Sequence, residues 1–150
     1  MTGIVSGALL LEHVVIDASV AIKWFIPEED SDRAQRLLDV HLFAPDILLV
    51  EVANYLRTQV GRAKMSSQDG TDILADLHQA PITFHPDSQL AAPAYAYGVS
   101  VMHPVYDCLY YALAQKLNCY VITADRRFIT AMNRDQAMQH RVLSLDMIDP

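Results

Sequence analysis

The chain has 150 residues, 52% of them hydrophobic, which suits one folded domain with a real core and argues against disorder. It carries 11 Lys and Arg against 18 Asp and Glu, which gives a net charge of −7. Such a charge is unusual for a protein that binds nucleic acid only by electrostatic attraction. Its two cysteines, Cys108 and Cys119, show no metal-binding spacing, so we expect reduced, mostly buried thiols in a cytoplasmic protein.

The first dozen residues form a lead-in that contains a short apolar run, residues 4–11. The run is too short to span a bilayer and lacks the basic start and cleavage site of a signal peptide, so we expect no membrane association. Gly3, Ser6 and Gly7 favour a loosely ordered segment over residues 1–12. An added edge strand, or an arm that contacts a partner, is the alternative.

Residues 14–25, VVIDASVAIKWF, predict a buried strand that ends at Asp17 and leads into a helix. Ser19 can cap that helix, and its apolar residues follow at helical spacing. Ligands of open α/β sheets bind at the carboxyl ends of the strands, which makes Asp17 the first candidate site residue.

The next segment predicts a second helix over residues 28–40, a strand over residues 41–44 and a third helix from a cap at Asp46 to about Gly61. Glu51 falls within the apolar stripe of this third helix. Two interpretations stay open. Either Glu51 is buried and something compensates its charge, or it lies at the edge of the stripe and reaches water.

Residues 66–79 then predict a fourth helix, and residues 81–85 a strand. A fifth helix follows, with Asp87 as its cap, Gly98 at its end and a kink or break at Pro93. The final part of the chain predicts a last strand over residues 141–145 and an exposed tail over residues 147–150.

The stretch HPVYDCLYYALAQKLN, residues 103–118, predicts a helix that begins after Pro104. Asp107 shares the core-facing stripe of this helix, although a first-turn acid can also simply complement the helix dipole. A strand over residues 119–123 then meets Asp125, in the same order of strand, acid and helix as at Asp17. Asp125 is therefore expected at the same edge of the sheet, where it can cap the helix and bind a ligand.

Strands alternate with helices along the chain, which predicts an α/β fold with a mostly parallel central sheet of about five strands and helices on both faces. Four acids, Asp17, Glu51, Asp107 and Asp125, are candidates to meet at one edge of it. Converging carboxylates repel each other unless a cation is present, and hard oxygen ligands suit Mg²⁺ or Mn²⁺. Such an ion can activate water and stabilise charge on a phosphodiester.

Three blocks of the chain carry a resemblance to a known family: VVIDASVAIKWF, PDILLVEVANYLR and HPVYDCLYYALAQKLNCYVITADRRF. Over residues 14–145 their order and spacing resemble those of PIN-domain proteins, and above all the VapC-type toxins of type II toxin–antitoxin systems. The resemblance implies a single PIN-like domain over residues 1–150. It also implies a Mg²⁺- or Mn²⁺-dependent ribonuclease, usually dimeric, that a cognate antitoxin holds inactive.

The same resemblance implies roles for individual residues. The family's acids fall on Asp17, Glu51, Asp107 and Asp125, as catalytic residues and metal ligands, and Ser19 and Thr123 match polar positions beside the metal. The N-terminal lead-in departs from the family pattern.

Contact with RNA must come from local positive charge, and Arg126, Arg127 and Lys23 are the candidates because they flank the acids in sequence. Trp24 and Phe25 can stack on a base, bind an antitoxin helix or pack in the core.

Two other functions do not fit the sequence, and a third stays open. A phosphoacceptor receiver domain would need adjacent acids after the first strand, and a DxD phosphatase would need an acid where Ser19 stands. A non-catalytic PIN-fold module that acts through a protein or RNA partner remains the alternative.

Overall fold

Five parallel strands form the central sheet of the computed structural model, which describes residues 3–7 and 9–150. The sheet strands are β3 (His13–Ile16), β4 (His41–Pro45), β5 (Ile82–His85), β6 (Tyr120–Thr123) and β7 (Val142–Ser144). Their order is β5-β4-β3-β6-β7, and every neighbouring pair is parallel. Two further strands, β1 (Ile4–Ser6) and β2 (Leu9–Leu11), pair antiparallel in a separate hairpin.

Helices pack around this sheet. They are α1 (Ala18–Ala21), α2 (Ser31–Arg36), α3 (Ile47–Gly61), α4 (Ser67–Gln79), α5 (Ala91–Val101), α6 (Val105–Leu117), α7 (Arg126–Met132) and α8 (Gln136–Gln139). Among the residues that the structure describes, none of the helices has the length and hydropathy needed to cross a membrane. The predicted α/β architecture with a parallel five-stranded sheet is confirmed.

The order of the strands creates a switch point beside β3. The chain runs from β3 through β4 to the edge strand β5, and it then returns to the other side of β3 with β6 and β7. The register pairs Ile16 with Ile122, so Asp17 and Thr123 follow side by side at the carboxyl edge. Ligands of open parallel sheets bind at such a crevice.

Helix α6 is the central helix of the core. It packs against β3, β4 and β6, and its residues from Cys108 to Ala114 are all buried. A helix that is buried almost all round belongs to the interior rather than to the surface. Asp107 immediately precedes this buried run, which places it between the core and the rim of the carboxyl edge.

Three predicted helix caps differ in the structure. Asp17 rather than Ser19 caps α1, because its carboxylate accepts a hydrogen bond from Val20 N while Ser19 lies inside the helix. Asp46 occupies the cap position of α3 without a capping hydrogen bond from its side chain. The carboxylate of Asp87 accepts from Ile47 N instead, because adjacent parallel β4 and β5 bring it to that free N–H.

Two predictions for the fifth helix are wrong. Pro93 lies in the first turn of α5, where the missing N–H costs nothing, and the helix continues through it. Gly98 does not end the helix, which runs on to Val101 and stops at the left-handed Met102, with φ 52°. Gly98 is instead needed for close packing, since a Cβ there would lie 3.0 Å from the carbonyl oxygen of His103.

The two chain ends are more ordered than expected. Ser6 Oγ donates to the carbonyl oxygen of Met147 at 2.9 Å, and Ile4, Leu11 and Ile148 are all buried. The described part of the lead-in is thus a hairpin docked on the C-terminal segment, which corrects the expected loose lead-in. Of the predicted exposed tail, Met147, Asp149 and Pro150 are exposed, whereas Ile148 is buried. Residues 1, 2 and 8 of the lead-in lie outside the described residues.

Gly61 and Gly98, which both lie in helices, form a matched pair for a stability test. Gly98→Ala should lower the free energy of unfolding by about 1–3 kcal/mol, because the backbone at His103 must move away. Gly61→Ala meets no atom within 4 Å and should leave stability unchanged or raise it by up to about 1 kcal/mol. Urea denaturation of both variants measures the difference, and equal stabilities would contradict the packing role of Gly98.

Candidate active site

Asp17 sits at the carboxyl end of β3 with 9% of its surface exposed. Its Oδ1 accepts hydrogen bonds from Ser19 Oγ at 2.5 Å and from Val20 N at 3.3 Å, and its Oδ2 accepts from the hydroxyl of Thr123. Both oxygens of this carboxylate are therefore held in place by neighbours on α1 and β6. The buried hydroxyl of Thr123 comes from the strand that pairs with β3.

The end of β6 is tied to α1 by the same hydroxyl groups. Ala124 N donates to Ser19 Oγ at 2.9 Å, and Asp125 N donates to Thr123 Oγ1 at 2.9 Å. The Oδ1 of Asp125 accepts from Arg127 N at 2.9 Å and from Phe128 N at 3.4 Å, so that it caps α7 as expected. Ser19 and Thr123 thus lie in direct contact with the acid-bearing segments.

Glu51 reaches the same edge from α3 and is half-buried. Its Oε1 accepts a hydrogen bond from the hydroxyl of Tyr110 on α6, and Tyr110 is only 1% exposed. The first of the two interpretations of Glu51 therefore holds: its carboxylate is partly buried and has a specific partner. The sequence analysis did not predict Tyr110 as a site residue. Two signals point to it: a buried tyrosine hydroxyl needs a hydrogen-bond partner, and Tyr110 lies one helical turn after Asp107.

Asp107 comes from the first turn of α6 and is also half-buried. His103 Nε2 lies 2.7 Å from its Oδ2, a distance at which the imidazole donates a hydrogen bond to the carboxylate. The imidazole ring in turn packs against Phe128 at 6.0 Å between ring centroids. Sequence reasoning missed His103, although its spacing of four residues from Asp107 is a usable signal.

The electrostatics show that the acids share one site. Burial raises the pKa of Asp17 to about 6, against the hydrogen bonds from Ser19, Thr123 and Val20, and the charge of Asp125 adds to the rise. Each carboxylate in the cluster makes ionisation of its neighbour more costly.

The charges of all three other acids affect the pKa of Glu51. Burial raises its pKa to about 7; the Tyr110 hydroxyl opposes this, and the charges of Asp107, Asp17 and Asp125 add to it. Burial also raises the pKa of Asp107, the His103 hydrogen bond opposes that rise, and Asp125 again adds to it. The structure therefore brings the four predicted acids within electrostatic reach of one another.

The protein itself offers little positive charge to this cluster. Among residues 3–7 and 9–150 the ion pairs are Lys23–Glu28, Arg33–Asp30 and His103–Asp107, and no Lys or Arg pairs with any of the four acids. Carboxylates gathered in this way suit a hard divalent cation.

The spacing of the acids bears on how such an ion would fit. Within the described residues no three His, Cys, Asp or Glu side chains are close enough to hold one ion directly. Mg²⁺ keeps several of its waters and commonly needs only one or two carboxylates. The donor set, all hard oxygen, therefore fits a hydrated Mg²⁺ or Mn²⁺ ion.

The basic candidates lie on the rim. Arg126 and Arg127 are exposed at the start of α7. The Lys23 side chain is 11% exposed, lies 3.7 Å from the Glu28 carboxylate and donates to the Glu29 carbonyl oxygen at 2.7 Å. Lys23 and Arg126 both line a polar cavity of about 370 Å³, whereas Arg127 is not part of its lining.

Trp24 and Phe25 pack partly buried against the core, and Trp24 Nε1 donates to the Ala34 carbonyl oxygen at 2.7 Å. Core packing thus accounts for both aromatic side chains.

The sequence of this chain is similar to those of known proteins. A family model described as PIN domain matches residues 14–132. A curated relative, Ribonuclease VapC3 of Pyrobaculum aerophilum, is 29% identical over 118 residues, which cover 76% of this chain and 90% of the relative.

Solved structures show the same fold. PAE2754 from Pyrobaculum aerophilum superposes with a TM-score of 0.67 at 15% identity, covering 90% of this chain and 84% of that one. A toxin–antitoxin complex from Klebsiella pneumoniae contains a chain that superposes with a TM-score of 0.59 at 16% identity, covering 88% of this chain and 97% of that one.

The raised pKa of Glu51 predicts a pH-dependent stability in the absence of divalent cations. Its pKa rises from 4.5 to about 7 on folding, so protonation favours the folded state. That contribution is complete below about pH 4.5 and is lost as the pH rises through about 7. Glu51→Gln, which cannot ionise, should match the wild type near pH 4 and exceed its free energy of unfolding by roughly 1–2 kcal/mol at pH 8, after allowing for solvent screening.

Urea denaturation in EDTA at several pH values measures this difference. The exposed Glu12→Gln, at the opposite end of β3, is the matched control and should show no such growth with pH. A difference between Glu51→Gln and wild type that is constant with pH would contradict the clustering of the acids.

Proposed function

Since the chain belongs to the PIN domain family, we propose that it is an endoribonuclease that depends on Mg²⁺ or Mn²⁺ and serves as the toxin of a toxin–antitoxin pair. One observation carries the proposal: Asp17, Glu51, Asp107 and Asp125 gather at the carboxyl edge of the sheet with no lysine or arginine paired to them among the described residues. The name of the curated relative, a ribonuclease, supports RNA as the substrate.

In this proposal one or two of the four acids bind the metal ion directly, the others contact it through its water molecules, and the other site residues orient the acids. When bound, a divalent ion lowers the pKa of a water molecule and stabilises charge on the phosphodiester during displacement. Ser19 and Thr123 orient Asp17, and the hydroxyl of Tyr110 orients Glu51. Burial of Asp17 and Glu51 limits the access of bulk water and strengthens each charge interaction at the site.

His103 and the start of α7 complete this support. The imidazole fixes one oxygen of Asp107, and two backbone N–H groups of α7 fix one oxygen of Asp125. Residues that orient ligands in this way commonly affect metal affinity or activity by about 10–100-fold.

The substrate needs positive charge that the whole molecule lacks. Arg126, Arg127 and Lys23 are proposed to contact the RNA backbone, because all three lie on segments that flank Asp17 or Asp125. Arg126 and Lys23 share a cavity that also includes Ala124, next to Asp125. Basic side chains placed beside the acids can bind phosphates although the net charge is −7.

The alternative is a PIN-fold module that binds RNA or a protein without cleaving. The site argues against it, because each of the four acids retains a specific hydrogen-bond partner. Binding of RNA without cleavage in the presence of Mg²⁺ and Mn²⁺ would favour this alternative.

The partners proposed for the protein are a cognate antitoxin and a second copy of the chain, in the cytoplasm. The fold shared with a chain of a toxin–antitoxin complex supports the first of them. Helix-in-groove binding is a common way for a short partner segment to cover such a site.

The metal-dependent activity has a direct test. Purified protein should cleave RNA with Mg²⁺ or Mn²⁺, and the cleavage should stop in EDTA. Asp17→Asn and Asp107→Asn should abolish cleavage and melt at the same or a higher temperature, since both changes relieve repulsion among the acids. The exposed Asp76→Asn on α4 is the matched control and should keep full activity. Cleavage that persists in EDTA, or that survives in Asp17→Asn, would defeat the proposal.

The proposed toxin role is tested in cells. Expression of the chain should arrest growth, Asp17→Asn should not, and co-expression of a small protein encoded beside it should restore growth. Light scattering of the purified chain should give twice the monomer mass of 16.8 kDa. Growth arrest by Asp17→Asn equal to that by wild type would contradict toxicity through RNA cleavage, and a monomeric mass would contradict the dimer.

A further inference from the structure

A second cavity opens directly beside the four acids. It has a volume of about 380 Å³ and lies between α1, α3 and the segment that joins α1 to α2. Ser19, Glu51 and Ala124 form the part of its lining nearest the acids. The cavity is therefore close enough to the acids to bind a neighbouring part of a substrate whose phosphodiester lies at the acids.

The far side of the cavity presents an aromatic ring. Tyr55 lies one turn after Glu51 on α3, so the two side chains face the same way. The Tyr55 side chain is half-buried, packs partly against the core and also lines the cavity. Unstacked RNA bases bind on aromatic side chains of this kind.

Carboxylates complete the lining. Glu28 lies on the segment between α1 and α2 and lines the same cavity as Tyr55. Burial is the main cause of the raised pKa of Tyr55, and the charge of Glu28 adds to it, so the two groups lie near each other. This segment is braced, because Glu28 N donates to Ser31 Oγ at 3.0 Å and Lys23 Nζ donates to the Glu29 carbonyl oxygen at 2.7 Å. The wall of the cavity is therefore a fixed feature of the fold.

The charged residues of the lining favour some ligands of this cavity over others. Glu28 and Glu51 offer only hydrogen-bond acceptors when ionised, so they favour a guest with N–H donors. Lys23 belongs to the same lining and also to the neighbouring cavity of about 370 Å³ that Arg126 shares. The Lys23 ammonium, which lies 3.7 Å from the Glu28 carboxylate, can contact a phosphate attached to the bound group.

Resting on the proposed ribonuclease function, we propose that this cavity is the subsite for one unstacked base of the RNA next to the cleaved bond, and that it selects guanine. The base stacks on Tyr55, and Glu28 accepts hydrogen bonds from its Watson–Crick edge. Guanine presents two adjacent donors on that edge, N1–H and the N2 amino group. The other three bases present a single donor group beside acceptors, so a carboxylate matches guanine best.

The test compares short RNAs that differ only in the base beside the cut, with guanine or with inosine, which lacks the N2 amino group. Wild-type protein with Mn²⁺ should show kcat/KM roughly tenfold higher for guanine than for inosine, as expected for a hydrogen bond to a charged group. Glu28→Gln should reduce this ratio towards one. The exposed Glu12→Gln is the matched control and should keep the wild-type ratio.

Two substitutions of Tyr55 test the stacking. Tyr55→Leu keeps an apolar side chain and should raise KM roughly tenfold, while Tyr55→Phe keeps the ring and should stay close to wild type. Thermal melts establish that both variants fold. Should Tyr55→Leu fail to fold, Glu28→Gln still decides the proposal, since Glu28 is exposed and contributes no core packing.

The failures of the two proposals are distinguishable. Absence of any metal-dependent cleavage by the wild type overturns the ribonuclease function and the subsite with it. Cleavage with equal rates for guanine and inosine, or an unchanged ratio in Glu28→Gln, overturns the subsite alone. A third outcome is that Glu28→Gln and Tyr55→Leu bind the antitoxin more weakly but cleave RNA with wild-type kinetics. This outcome would assign the cavity to the protein partner and would also overturn the proposed base subsite.

Discussion

Repulsion among carboxylates at one edge of the sheet is the constraint on which the rest of this structure depends. Asp17, Glu51, Asp107 and Asp125 come from four separate elements, and the charges of Asp17, Asp107 and Asp125 each raise the pKa of at least one other acid. A fold gains no stability from such an arrangement in the absence of a cation. The surrounding contacts must therefore hold the acids together at the expense of stability, as is typical of functional sites.

Two kinds of support achieve this. Hydroxyl groups from neighbouring elements hold Asp17 and Glu51, and the partner of Glu51, Tyr110, is anchored in the most buried helix of the protein. The parallel sheet supplies the second kind, because the switch of strand order beside β3 brings the ends of β3 and β6 side by side. The placement of the four acids thus depends on a rigid core helix and on sheet topology more than on loops.

The rim of the site has a different character from its centre. The acids are wholly or partly buried, while Arg126 is exposed and Glu28 sits on a braced connecting segment. The acidic centre is fixed, and the polar rim is accessible. This arrangement suits the proposed RNA substrate, which would bind across the rim and react at the centre. The described part of the N-terminal hairpin contacts the C-terminal segment at Met147.

Local sequence determined much of this protein. The order of apolar strand, acid and helix occurs at Asp17 and again at Asp125, and parallel strands carry such acids to one edge regardless of the rest of the chain. Helical spacing likewise placed Glu51 and Asp107 on inward stripes. The alternation of strands and helices was sufficient to predict the parallel sheet, because parallel strands need a long crossover connection, which is usually a helix.

Tertiary structure decided which groups meet those acids. Whether Glu51 reaches water or stays half-buried depended on Tyr110, 59 residues away, and the free N–H of Ile47 is satisfied by Asp87, 40 residues away. The order of the lead-in likewise depended on the distant Met147. Periodicity fixes the face on which a side chain lies, whereas the partner on that face is set by how elements pack, and packing is a property of the whole chain.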